Sequence, residues 1–301
     1  MSILEAIVLG LVQGLTEFLP ISSSGHLILI PWLANWDEPG LAFDAALHLG
    51  TLAAVFVYFW RELVAMLFAI PTALSRPRAV LTAKPEPLPD GPRPVSGGSS
   101  PNREHDARLA LLLILGSIPG GIVGLLGQGK IEDFFHDETH RPFSIVVIAV
   151  LLIAFGLMLW LADRAATHRR RIDALTTRDA LFIGAAQALA LMPGVSRSGS
   201  TLTAGLFRGL HRADAARFSF LLGTPLVTLA GLKGLKDILD AHPTGSEVTT
   251  LIVGVLVSAI TGFAAIWVLL RFLQRSNTAV FVLYRLAAGL FFLGLIAAGV
   301  R

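Results

Sequence analysis

Gln13-Gly-Leu-Thr-Glu17-Phe-Leu-Pro20-Ile-Ser22-Ser23-Ser24-Gly25-His26 breaks an otherwise apolar run with a carboxylate, a proline, three serines and an imidazole. Pro193-Gly194-Val-Ser196-Arg197-Ser198-Gly199-Ser200-Thr201 does the same in the second half of the chain. The runs leading into them match: Ala6-Ile-Val-Leu-Gly10-Leu-Val-Gln13 against Ala180-Leu-Phe-Ile-Gly184-Ala-Ala-Gln187. One offset relates both pairs of ends and also Gly25 to Gly199, and Leu49-Gly50-Thr51 recurs later as Leu222-Gly223-Thr224. An ordered set of matches like this is an internal repeat.

Around these breaks the chain is apolar. Of 301 residues, 54% are hydrophobic and 15% charged, against about 25% charged in a soluble domain, and the mean hydropathy is +0.69. A bilayer crossing needs about 20 apolar residues. Six stretches supply it: Leu41–Trp60, Leu109–Gly127, Phe143–Ala162, Phe218–Leu235, Leu251–Leu270 and Ala279–Val300. They are continuous rather than alternating, which argues against a β-barrel. The absence of cysteine excludes disulfides, thiol catalysis and thiolate metal sites. A net charge of +3, carried beside the spans, reads as a topology signal and not as a nucleic-acid surface. The N-terminus has no basic segment or cleavage site of a signal peptide.

The expected fold is an all-α polytopic membrane protein forming a single membrane domain over 1–301. Repeat one spans 1–162, with a disordered, Pro-rich cytoplasmic connector at 75–106; repeat two spans 179–301. Each repeat holds one interrupted segment (3–33 or 179–208) and three full spans. Proline and glycine around a polar tip make each interrupted segment a re-entrant helical hairpin, which is tolerated at membrane depth only inside protein or beside water. Three crossings per repeat turn the second copy over, giving an inverted-topology repeat whose two tips meet near the midplane. Loops 61–108, 163–178, 208–217 and 271–275 carry most of the lysines and arginines, so the large loops are expected in the cytoplasm.

The tips carry the chemistry. Gln13 and Glu17, four apart, share one helical face, and Pro20 ends that helix. A new half-helix starts after each serine-rich turn, so its first N–H groups and the positive end of its dipole aim at the tip. Ser22, Ser23, Ser24 and Gly25 from one turn, with Ser196, Ser198, Gly199 and Thr201 from the other, make a ready anion site. Arg197 adds a forked cation suited to phosphate or diphosphate. Ionisable groups at this depth cost about 2.5–3.5 kcal/mol each on insertion scales, which makes Glu17, His26 and Arg197 functional candidates. Some of the serines must also serve as helix caps. The histidines of His136-Asp-Glu-Thr-His140 read as a solvated loop, lacking the glutamate position of a zinc motif. Asp44 and His48 share a helix face and either line the cavity or pair with each other. The Gly10/Gly14, Gly120/Gly124 and Gly205/Gly209 spacings read as close helix packing.

The Gln13–His26 and Pro193–Thr201 motifs, with lesser matches at Leu49–Thr51, Arg217–Leu222 and Tyr284-Arg285, resemble the BacA-type undecaprenyl-diphosphatases over nearly the whole chain. The resemblance implies hydrolysis of undecaprenyl diphosphate to undecaprenyl phosphate and phosphate, with recycling of the cell-wall lipid carrier and bacitracin resistance. It implies a site opening to the periplasm in the bacterial inner membrane. The family's functional positions fall on Gln13, Glu17, Ser23, His26 and Arg197, and the first glutamate position is Gln13 here. A divalent cation, Mg2+ or Ca2+, would sit on Glu17 and Gln13, with His26 as acid/base and Ser23 as nucleophile or phosphate donor. The partners expected are a polyprenyl diphosphate and the lipid bilayer, with a homodimer left open and no nucleic acid. The alternative is a secondary transporter or flippase of a phosphorylated lipid or anion, whose hallmarks are the same broken helices. An acid-phosphatase-type lipid phosphatase shares Ser24-Gly25-His26 but its other motifs are missing.

Overall fold

Where the sequence breaks its apolar runs, the chain breaks its helices. The computed structural model describes residues 1–37, 39–82, 103–136, 141–240 and 242–300. α1 (Ile3–Phe18) opens on a capping box between Ser2 and Glu5 and stops before Pro20. α2 (Ser23–Ala34) starts again at Ser22 and ends on Asn35 in the left-handed conformation. After α3 (Gly40–Tyr58) come α4 (Trp60–Ser75) and α5 (Pro77–Thr82), then α6 (Arg103–His136) and α7 (Arg141–Ala165). The second half repeats the plan. α8 (Thr177–Ala188) and α9 (Arg197–Phe207) are a broken pair, followed by α10 (Arg212–Asp240), α11 (Gly245–Arg275) and α12 (Ala279–Ala297).

Six of these helices, α3, α6, α7, α10, α11 and α12, are long and apolar enough to cross a membrane, and they coincide with the six stretches read from the sequence. The protein is a polytopic membrane protein. Large apolar side chains cover its outside, as with Leu125 at 91% exposure and Leu126 at 79%. Part of the stretch expected to be a disordered connector is helical, at 77–82 and 103–106, and its residues 83–102 lie outside the described ones. α4 was not anticipated either. Its sequence is apolar but too short to cross, and it buries Met66, Ala69 and Ala73 while packing along α6. The histidines expected in the 136–140 loop fall outside the described side chains.

Each broken pair leans on the other half of the chain. α1 packs most closely on α11 and α8 on α6, and glycines make both approaches possible. A Cβ built on Gly184 would lie 1.8 Å from the Gly116 carbonyl oxygen, and one on Gly14 would lie 1.9 Å from Thr261 Oγ1. Gly10 meets the Gly254 carbonyl in the same way. Not every paired glycine serves packing. Gly124 has open space around it, and Gly209 is needed for its positive φ of 79° as well as for its contact with Thr167.

Arginines pin one end of the bundle. Asp179, at the start of α8, is fully buried and receives bonds from Arg170 Nη2 at 2.6 Å, from the Thr176 N–H at 2.9 Å and from Arg208 Nε. Burial alone would raise the Asp179 carboxyl, but these donors hold it well below the usual carboxylate range. Asp163 gathers Arg212 at 2.6 Å and the Thr278 N–H at 3.0 Å, tying the end of α7 to α10 and α12.

The glycine approaches yield a test. Gly184→Ala is expected to lower stability by about 1–3 kcal/mol, because a methyl group there meets backbone that cannot move aside. Gly124→Ala is expected to leave stability unchanged or slightly raised, since it gains helix propensity without a clash. Melting temperatures in detergent check this, and equal losses in both variants would contradict the packing described.

Candidate active site

Each tip is built from the same strained turn. Leu19, before Pro20, is extended, as the proline ring requires. Ser22 then takes φ 78° and Ser196 takes φ 73°, positive values rare outside glycine. The strain is held by capping: Ser22 Oγ accepts from the Gly25 N–H at 3.4 Å and Ser196 Oγ from the Gly199 N–H at 3.0 Å. The first N–H groups of α2 and α9, at Ser23, Ser24, Arg197 and Ser198, have no acceptor within their own helices.

The two turns interlock. Ser22 Oγ also accepts from the Gly194 N–H of the other tip at 3.0 Å, and Ser198 Oγ donates to the Leu19 carbonyl at 3.1 Å. Behind them lies Arg285, completely buried. Its Nη1 donates to Pro20 O at 3.1 Å, Nη2 to Gly194 O at 2.8 Å and Val195 O at 3.1 Å, and Nε to Leu152 O at 3.0 Å. One guanidinium therefore gathers carbonyls from both tips and from α7.

At the centre stands Glu17, with three donors. Arg197 Nη2 meets its Oε1 at 2.8 Å, while Ser23 Oγ and Gln13 Nε2 meet its Oε2 at 2.7 and 3.1 Å. His48 Nε2 lies 3.6 Å from the same Oε2. Arg197 uses only one of its nitrogens here, and its buried Nε and Nη1 have no partner among the described residues. Those two nitrogens lie on different edges of the guanidinium, and each is free to donate to an anion oxygen. Arg197 fits because residue 223 is glycine: a Cβ there would lie 1.3 Å from Arg197 Nη1. A cavity of about 260 Å3 adjoins the tips, lined by Ser24 and Pro193 from the turns and by Asp44 and His48 from α3.

The sequence-derived candidates separate into groups. Gln13, Glu17, Ser23 and Arg197 are in direct contact. Ser22, Gly25, Ser196, Ser198 and Gly199 form the caps and the interlock, and Ser24 faces the cavity. Thr201 turns away from the tip, back-bonding to the Arg197 carbonyl at 2.7 Å and meeting Ser219; a buried hydroxyl inside a helix finds the nearest carbonyl. His26 touches neither Ser23 nor Glu17 among its hydrogen bonds. Its Nδ1 sits 2.6 Å from the Ser22 carbonyl and its Nε2 2.6 Å from the Tyr284 hydroxyl. A carbonyl only accepts, so Nδ1 carries a proton, and in the neutral ring Nε2 receives the Tyr284 O–H. Asp44 and His48 do not pair through the carboxylate: His48 Nδ1 bonds the Asp44 carbonyl at 2.8 Å, and both line the cavity.

Three participants were not read as such from the sequence. Arg285 was visible as a charge inside an apolar span, Gly223 as part of the repeated Leu-Gly-Thr, and Tyr284 only beside Arg285. Among the described residues no cluster of three or more histidine, aspartate and glutamate side chains could hold a metal. Gln13 Oε1 is buried without a partner, however, so it and Glu17 offer a hard cation two oxygen ligands to be completed by a ligand's own oxygens.

Residues 6–291 match the family described as "Bacitracin resistance protein BacA". An undecaprenyl-diphosphatase of Thermomicrobium roseum is 47% identical over 290 residues, covering 96% of each chain. One of Moorella thermoacetica is 43% identical, covering 95% of each chain, and one of Myxococcus xanthus is 44% identical over 99% of this chain and 91% of its own.

Gly223→Ala is expected to push Arg197 off Glu17 while leaving the bundle folded. Binding of inorganic diphosphate to the purified protein should weaken about tenfold or more, the loss of one charge-assisted contact, with little change in melting temperature. Unchanged diphosphate affinity would contradict the placement of Arg197.

Proposed function

Because the chain belongs to the family of the bacitracin resistance protein BacA, we propose that it hydrolyses undecaprenyl diphosphate to undecaprenyl phosphate and inorganic phosphate, recycling a lipid carrier. The names of its relatives support the substrate. One observation carries the chemistry: Glu17 holds Ser23 on one oxygen and Arg197 on the other. A nucleophile, its base and an anion-binding cation thus share a single carboxylate.

Phosphoryl transfer requires positioning and charge neutralisation more than covalent chemistry from the protein. The Arg197 guanidinium, with the leading N–H groups of α2 and α9, holds the terminal phosphoryl group. Ser23 Oγ attacks it and passes its proton to Glu17 Oε2, which already accepts its hydrogen bond. The Oγ–phosphorus bond forms as the bridging oxygen leaves with the lipid as undecaprenyl phosphate. Glu17 thereby takes the acid/base role first expected of His26. His26, held by Ser22 and Tyr284, fixes the turn that aims Ser23. Gln13 and Glu17 would hold Mg2+ or Ca2+, which when bound offsets the charge of the diphosphate.

The topology belongs to the same reading. The exchanged packing of α1 on α11 and α8 on α6 supports an inverted-topology repeat of two re-entrant hairpins. The excess of basic residues in loops 61–108, 163–178 and 208–217 supports a bacterial plasma membrane orientation with those loops cytoplasmic and the site open to the periplasm. The bacitracin resistance for which the family is named would follow from turnover of this lipid.

Purified protein in detergent, where transport has no meaning, is expected to release phosphate from C55 diphosphate. Glu17→Ala and Arg197→Ala should each reduce the rate about a thousandfold, as for loss of an electrostatic or acid/base group, while eluting as the parent does. Near-normal turnover in both variants would end the assignment. A parent that binds the lipid without releasing phosphate would point to a carrier.

A further inference from the structure

A phosphoryl group left on Ser23 must be removed by water, and that water has to arrive in line, from the side of phosphorus opposite the serine oxygen. Glu17 holds Ser23 Oγ at 2.7 Å and so stands on the serine's side. A second base is needed elsewhere. The cavity of about 260 Å3 that adjoins the tips brings Ser24 and Pro193 together with Asp44 and His48 of α3. Asp44 Oδ1 is buried and has no hydrogen-bond partner among the described residues. A buried carboxylate oxygen with no donor beside a roomy cavity marks a place for water. The wall that carries it reaches the reacting groups, since His48, one turn along α3, has its Nε2 3.6 Å from Glu17 Oε2. The cavity is otherwise mainly apolar, with Leu27, Ile28 and Val227 among its lining, so water that enters has few competing polar sites.

We propose that Asp44 holds the hydrolytic water in this cavity and takes its proton as the phosphoryl group leaves Ser23. The inference rests on Ser23 being the nucleophile. The water oxygen bonds to phosphorus as the bond from phosphorus to Ser23 Oγ breaks. The water's proton passes to the Asp44 carboxylate, and Ser23 Oγ recovers from Glu17 the proton given up in the first step. Inorganic phosphate departs, and Asp44 returns its proton to solvent. Asp44 acts only in the second half-reaction.

Rapid-quench kinetics on polyprenyl diphosphate with a labelled terminal phosphate separate the two steps. Asp44→Asn is expected to give a burst of about one lipid monophosphate per chain, with label retained on Ser23, then turnover about a hundredfold slower than the parent, as for loss of a general base. Asp44→Glu, which keeps the carboxylate, should turn over faster than Asp44→Asn. Turnover of Asp44→Asn within about threefold of the parent overturns the proposal. Slow turnover without a burst in both variants also overturns it, because Asp44 would then act before the intermediate or only in folding. A Ser23→Ala protein that keeps its turnover sinks the nucleophile itself, whereas normal turnover of Asp44→Asn sinks only the water site.

Discussion

The Arg285 guanidinium is the constraint on which the two tips depend. A helix broken at membrane depth leaves carbonyls without partners, and each unsatisfied backbone group there costs several kcal/mol. Arg285 satisfies Pro20 in one tip and Gly194 and Val195 in the other, with Leu152 of α7 fixing its position. No carboxylate pairs with it among the described residues. Its charge is therefore compensated only by carbonyl dipoles, and the positive field is left directed at the tips. Arg197, by contrast, is balanced by Glu17. On the proposed function, an anionic headgroup would enter a site whose net charge already favours it.

The repeat supplies two equivalent scaffolds and the sequence then divides the work between them. Positions that correspond at the common offset carry different chemistry: Glu17 against Leu191, Ser23 against Arg197, His26 against Ser200. On the proposed mechanism the first hairpin supplies nucleophile and base, and the second supplies the cation. What both retain is the strained serine cap, at Ser22 and Ser196, and the glycine approach of the first half-helix, at Gly10 and Gly184. Those shared features place the helix starts, so neither copy could lose them without moving the other's chemistry.

The six spans and the two breaks were legible because their causes are local. Span length answers to bilayer thickness, and Pro20 and Pro193 each stand beside a serine- and glycine-rich turn where a helix ends, whereas Pro31, Pro71, Pro119 and Pro225 are carried inside helices. The contact of Glu17 with Arg197 was foreseeable from the repeat, which placed both at a tip. Long-range side-chain geometry was not legible. His26 meets a hydroxyl from Tyr284, far along the chain, and so cannot at once serve Ser23. Thr201 looked like a member of the anion site by its place in the motif, but its rotation on α9 sends it to Ser219. α4 escaped notice because it is apolar without being long enough to span, a case in which length and composition point different ways.

The site depends on the convergence of the two tips, and the pair Glu17 and Arg197 reports it most directly. A double-mutant cycle with Glu17→Gln and Arg197→Met, read by unfolding in detergent, is expected to show a coupling of about 1–3 kcal/mol, as for two groups in direct contact in one network. Single losses that add to within about 0.5 kcal/mol, as distant sites do, would mean that the tips do not meet.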